Sequence, residues 1–151
     1  MKFALDSNVI LYFEGINDQQ RQHTAQSLVE SIGRPNLIVP IQALAECVNR
    51  LSKAPGWDRS LACSQMGLWF RRFVTQDTTR TVYGAAEEIA DKHGLQFFDS
   101  IILASAQIAN ADVLLSEDMQ DGFHWRGVTI VNPFAASPNP LIRSMLKNRT
   151  H

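Results

Sequence analysis

The sequence predicts a single α/β domain, a parallel sheet flanked by helices. Three observations predict it. Short apolar runs alternate along the chain with longer segments whose apolar residues recur every three or four positions. The short runs are apolar throughout, as strands are when both sheet faces are covered. The chain has 151 residues, enough for one domain with a sizeable core.

The elements follow in order. Lys2 to Leu5 is an apolar run that ends at Asp6 and reads as a buried strand. Asn8 to Phe13 reads as a short helix or turn. Gln19 to Ile32 places Ala25, Leu28, Val29 and Ile32 on one helical stripe, with Gly33 as a C-terminal stop. Leu37 to Val39 is a strand closed by Pro40. Ile41 to Leu51 is helical, with Glu46 at the edge of its apolar stripe, and Ala54-Pro55-Gly56 breaks the pattern. Asp58 is an N-cap for a helix reaching Phe73. Thr79 to His93 is helical and ends at Gly94. Phe97 to Asn110 is a strongly apolar helix. Val113 to Leu115 is a strand, Ser116 to Arg126 a loop, and Val128 to Val131 a last strand. The expected division is one folded domain over 1–134 and a basic tail over 135–151, the tail favoured as a disordered end or else an arm that binds a polyanion or a partner.

Composition narrows the function classes. Hydrophobic residues at 45% and charged residues at 19% fit a globular protein, not a disordered one. No run approaches the length of a bilayer span or a signal peptide, so the expected location is the cytoplasm, away from membranes. Cys47 and Cys63 form no CxxC, and His23, His93, His124 and His151 have no metal-like spacing. The net charge is −1, but six basic residues lie between Arg50 and Arg80 against two acids, and Arg143, Lys147 and Arg149 follow Ser137. A basic flank beside acids suits a polyanion; it also suits solvated helix faces.

The acids are more informative. In an open parallel sheet, ligands bind outside the carboxyl ends of the strands. Asp6 directly follows the first strand, and Asp118 lies in the loop after Val113 to Leu115. Glu46 sits one turn into its helix, and Asp99 opens the apolar helix. Each acid also has an ordinary role available: a cap for Asp6, a dipole partner for Asp99, a helix surface for Glu46, a turn for Asp118. Together at one sheet edge they would repel one another and call for a cation or for protons. All-oxygen donors suit Mg²⁺ or Mn²⁺, and such ions assist phosphoester hydrolysis. Residue chemistry reaches that reaction class and no further. An aspartyl-phosphate enzyme with Asp6 as nucleophile is the rival, although the Asp usual two residues later is Asn8 here.

The motifs themselves resemble a known family. Phe3-Ala4-Leu5-Asp6-Ser7-Asn8, Leu44-Ala45-Glu46, Phe98-Asp99-Ser100-Ile101 and Leu115-Ser116-Glu117-Asp118 resemble, in order, the four acid motifs of PIN-domain proteins. Val131-Asn132-Pro133-Phe134 is similar to the closing strand of VapC-type bacterial toxins. The resemblance implies a PIN fold and an endoribonuclease dependent on Mg²⁺ or Mn²⁺. It implies Asp6, Glu46, Asp99 and Asp118 as metal-site acids, with Ser7, Asn8, Ser116 and Asp121 in support. It further implies an RNA substrate, a cognate antitoxin and a homodimer. The alternative is a catalytically silent PIN-like module that binds RNA or a partner. Glu117 is expected to point away from the site. The aromatic helix bearing Trp69, Phe70 and Phe73, with Trp57 just before it, is expected to serve core and dimer packing, or else a groove for antitoxin or RNA.

Overall fold

Phe3–Leu5 forms the first strand, β1, and all three of its residues are buried. The computed structural model describes residues 1–147. After β1 come helices α1 (Ser7–Phe13) and α2 (Gln19–Ile32), then strand β2 (Leu37–Pro40). Helices α3 (Ile41–Leu51) and α4 (Arg59–Arg72) precede strand β3 (Val74–Gln76). Helices α5 (Arg80–His93) and α6 (Phe97–Ile108) lead to β4 (Val113–Leu115). Strands β5 (His124–Trp125) and β6 (Val128–Val131) and helix α7 (Pro140–Lys147) complete the described chain.

The sheet order is β3-β2-β1-β4-β6-β5, parallel except for β5, which runs antiparallel to β6. The chain builds outward from β1 through β2 to β3, then returns to place β4 on the other side of β1. The β1–β4 seam is therefore the point where the strand order reverses, the place at which open parallel sheets leave a crevice. Phe3 pairs with both Leu37 and Val113, so β1 is central. Its buried apolar run follows from that position.

Helix termini obey their local chemistry. Asp58 accepts from the Leu61 N–H at 2.8 Å, and Asp18 and Thr79 cap α2 and α5 in the same way. Gly94 ends α5 in the left-handed region at φ 69°, which glycine enters without a Cβ clash. Helix α6 is buried without a break from Ser100 to Ala106. Its two buried serines return their hydroxyls to the Gln96 and Ile101 carbonyls, so the burial leaves neither unsatisfied. Among the described residues no helix is long and apolar enough to cross a membrane.

Three elements differ from the sequence reading. Strand β3 follows Phe73 at once, at the sheet edge. Strand β5 lies inside the segment read as a loop, and a two-residue turn with Arg126 at φ 44° and Gly127 at φ 89° joins it to β6. The tail, favoured as disordered, forms α7 over its described part: Ile142 is fully buried and the Ser31 hydroxyl reaches the Met145 carbonyl at 3.5 Å. Arg149 and the rest of the chain end lie outside the described residues.

Candidate active site

Asp6 ends β1 and caps α1, so its capping role and its place in the site coincide. Its carboxylate is buried and accepts four hydrogen bonds. The Ser7 N–H donates at 2.7 Å and the Ser7 hydroxyl at 3.5 Å, the Ser116 hydroxyl at 2.7 Å and the Asn8 side-chain amide at 3.3 Å. Burial nevertheless raises its pKa to about 7. The bonds from Ser116 and Ser7 pull the other way, and the charges of Asp99 and Glu46 push it higher.

The same Asn8 amide donates to Asp118 at 3.1 Å, and Asn8 Oδ1 accepts from the Glu117 N–H at 3.2 Å. Asn8 thus ties the end of β1 to the loop after β4. Ser116 is fully buried and accepts from the Met119 N–H at 3.2 Å, which fixes the turn that presents Asp118. From the other side α3 brings Glu46 and α6 brings Asp99. The pKa of Asp99 is raised by burial, then by Glu46 and by Asp118. Asp6, Glu46, Asp99 and Asp118 line one cavity of about 310 Å³, with Ser7 also on its wall.

Of the other residues expected in support, Asn8 and Ser116 lie beneath the cleft as hydrogen-bond partners of the acids. Asp121 does not line it; its carboxylate accepts from the Asn132 N–H at 3.0 Å and holds the end of β6. Glu117 points away, as expected. It accepts from the Tyr12 hydroxyl at 2.6 Å and from Arg21 Nε at 2.7 Å. Arg21 also meets Asp18 at 2.7 Å and lies over the rings of Tyr12 and Phe134. Burial and the bond to Glu117 push the Tyr12 pKa up to about 12, so its hydroxyl stays a donor.

Three lining residues escaped the sequence reading as site members, Asn49, Gln96 and Phe98, while Arg50 belongs to the basic flank read as suited to a polyanion. The signal was present. Asn49 and Arg50 lie three and four positions after Glu46, on the same helix face, and Gln96 and Phe98 precede Asp99 by three positions and by one. Of the basic run from Arg50 to Arg80, only Arg50 reaches the cleft.

A divalent cation is tested by the donor set. The cleft offers carboxylate oxygens with hydroxyl and amide support, the ligand class of Mg²⁺ and Mn²⁺. Cys47 is buried beside it, but burial and then the nearby acids drive its thiol well above the ordinary range, and its Sγ–H faces the Ser7 carbonyl at 3.5 Å. It stays neutral and outside the donor set. Among the described residues no three Asp, Glu, His or Cys side chains close around a single point. The acids line an open cleft, which fits an ion that keeps several waters and takes one or two protein carboxylates directly.

A larger apolar cavity, about 560 Å³, lies elsewhere, lined by Phe13, Val29, Phe73 and Arg34 among others. Phe73, the residue that ends α4 as its C-cap, is the contribution of the aromatic segment. Trp69 is buried, stacks on Phe73 at 4.7 Å and donates its ring N–H to Glu14 at 2.8 Å. Phe70 is exposed.

Residues 3–121 match the PIN domain family, and the chain belongs to that family. Solved structures narrow the fold within it. The chain is similar to VapBC2 of Rickettsia felis bound to a DNA fragment from their promoter, at 16% identity and a TM-score of 0.60, over 86% of this chain and 97% of that one. It is similar to a toxin–antitoxin complex of Klebsiella pneumoniae, at 17% identity and a TM-score of 0.64, over 85% and 96% of the chains. It is similar to VapC20 of Mycobacterium tuberculosis, a sarcin-ricin loop cleaving toxin, at 16% identity and a TM-score of 0.63, over 75% and 87%. At these identities the likeness establishes the fold. No curated protein matches the sequence at a significant level.

Proposed function

We propose that this chain is a divalent-metal-dependent endoribonuclease and the toxin of a toxin–antitoxin pair, acting in the cytoplasm as a homodimer. The observation that carries the reading is the arrival of Asp6, Glu46, Asp99 and Asp118 at one cleft beside the β1–β4 switch point of a PIN fold. Support for RNA comes from VapC20, whose structure is described as that of a sarcin-ricin loop cleaving toxin. Support for an antitoxin comes from the neighbours solved as toxin–antitoxin complexes. The apolar cavity at Phe13, Val29 and Phe73 offers such a partner a seat.

The four acids would hold Mg²⁺ or Mn²⁺. The bound ion supplies Lewis-acid activation of water and charge stabilisation at the phosphodiester. The chain's own residues prepare that chemistry. Ser116, Ser7 and Asn8 fix both oxygens of Asp6 in place. Asn8 sets the distance between Asp6 and Asp118. Glu46 or Asp99 orients the attacking water, and Arg50 holds a flanking phosphate.

The test is cleavage of labelled single-stranded RNA by wild type and Asp6→Asn, with Mn²⁺, Mg²⁺ or EDTA. Metal-dependent cutting by wild type, lost in the variant, supports the reading. Folded wild-type protein that binds RNA and cuts none with either metal replaces it with a silent binding module.

A further inference from the structure

Phe98 is 54% exposed on the wall of the acid cleft. Burial does not explain it. Its neighbour Phe97 packs on the core and meets the Tyr83 ring edge-on at 5.3 Å, whereas Phe98 faces outward in the register of α6, directly before Asp99. On the same cleft, α3 presents Asn49 and Arg50, both exposed. Among the described residues Arg50 enters no ion pair. The cleft therefore has an acidic floor, one open aromatic face and one unpaired guanidinium.

We propose that Phe98 is the stacking platform for an unpaired base of the nucleotide next to the scissile phosphate, with Arg50 of the same cleft gripping the neighbouring phosphate. The inference rests on the ribonuclease reading above and deepens it to the level of a single nucleotide. A phosphodiester brought to Asp99 carries its own base within one nucleotide of Phe98, because both residues line the same cleft. A ring face accepts a base only if that base has left its helical stack, so the site selects single-stranded or looped RNA at this position. Stacking needs no hydrogen-bond pattern, so it sets strandedness and a preference for large bases, not a strict sequence. Phe98 is in this sense a positioning and specificity residue.

The experiment uses the full chain with Mn²⁺ and an RNA that wild type cuts. Abasic sites are placed one at a time at the nucleotides flanking the cut, and kcat and KM are measured for wild type, Phe98→Ala, Phe98→Leu and Phe98→Trp. Phe98→Ala and Phe98→Leu should raise KM about 10-fold, and Phe98→Trp should restore it. One abasic position should cost wild type a similar factor and cost Phe98→Ala nothing more.

Unchanged KM in Phe98→Ala, or an abasic penalty equal in wild type and variant, overturns the proposal while the nuclease reading stands. Light scattering that shows Phe98→Ala converting a dimer to a monomer also overturns it, since a second copy then covers the ring. Folded wild type that cuts no RNA with either metal removes the nuclease reading, and this proposal with it.

Discussion

Arg21 Nε donates to Glu117 at 2.7 Å, and this one ion pair ties the first turn of α2 to the residue before Asp118. Glu117 also holds the Tyr12 hydroxyl, so two elements outside the cleft set the path of the loop that enters it. A partly exposed pair of this kind contributes little stability, about 0.5 kcal/mol. Its effect on geometry is larger, because small misplacements of a catalytic group cost rate steeply. Arg21→Ala is therefore expected to lower kcat about 10-fold or more with KM nearly unchanged, and to destabilise by only about 1 kcal/mol. Steady-state kinetics and urea melts on one preparation check both halves. An equal loss in stability and rate would make the pair merely structural.

Asp6 gives the metal-free protein a pH signature. Its folded pKa of about 7 stands above the ordinary 3.8, with burial the main cause. A carboxyl raised on folding stabilises the fold when protonated. That contribution is complete below about pH 4 and is lost as pH rises toward 7. In EDTA, wild type should lose stability on the order of 2 kcal/mol across this window, and Asp6→Asn should lose less. With Mn²⁺ the wild-type trend should weaken or reverse, because a cation favours the ionised carboxylate. Thermal melts from pH 4.5 to 7.5, with and without metal, read the difference. Identical profiles for wild type and Asp6→Asn in EDTA would discard the explanation.

Asn8 makes a sharper test of site geometry. Its amide bridges Asp6 and Asp118, and its carbonyl oxygen fixes the Glu117 N–H. Asn8→Asp keeps the shape but brings a third carboxylate against the other two, whereas Asn8→Ala only removes the bridge. Asn8→Ala is expected to lower kcat about 100-fold, and Asn8→Asp to need less metal for half-maximal rate at pH 7. Metal titrations of RNA cleavage distinguish the two. Equal metal requirements in both variants would argue against Asn8 as the spacer of the two acids.

The sheet and the site differ in how much of them the sequence displays. Buried central strands are continuous apolar runs, so β1, β4 and β6 are visible, and the helical stripes of α2 and α3 fix their bounds. Strand β3 is three residues long, partly exposed and at an edge, too short for any period to register. Strand β5 depends on a hairpin turn made by Arg126-Gly127, which lacks the Asn-Gly signature that advertises such turns. In the site, the acids announce themselves by following strands or opening helices. Arg21 and Tyr12 do not, because their contacts with Glu117 span 96 and 105 positions. Phe98 looks like core in a run as apolar as Phe97 to Leu103, and only the helix register turns it outward.

The tail carries the last prediction. Helix α7 lies in a segment that reads as a basic tail in sequence, yet Ile142 is fully buried and Leu141, Met145 and Leu146 pack at the edge of the core. A helix of eight residues is not stable alone, so its order depends on that apolar side against α2. Two outcomes of Ile142→Ala follow from how α7 is coupled to the rest. If α7 melts with the domain, the lost side chain costs about 2 to 4 kcal/mol in a single transition. If α7 opens by itself, the global loss is small and the amides of α7 alone lose protection from hydrogen exchange. Among the described residues α7 pairs with no strand, which favours the second outcome. Hydrogen exchange with Ile142→Ala should therefore expose residues 140–147 while β1 and α6 stay protected. Uniform loss of protection across the sheet would show instead that α7 is an integral part of the fold.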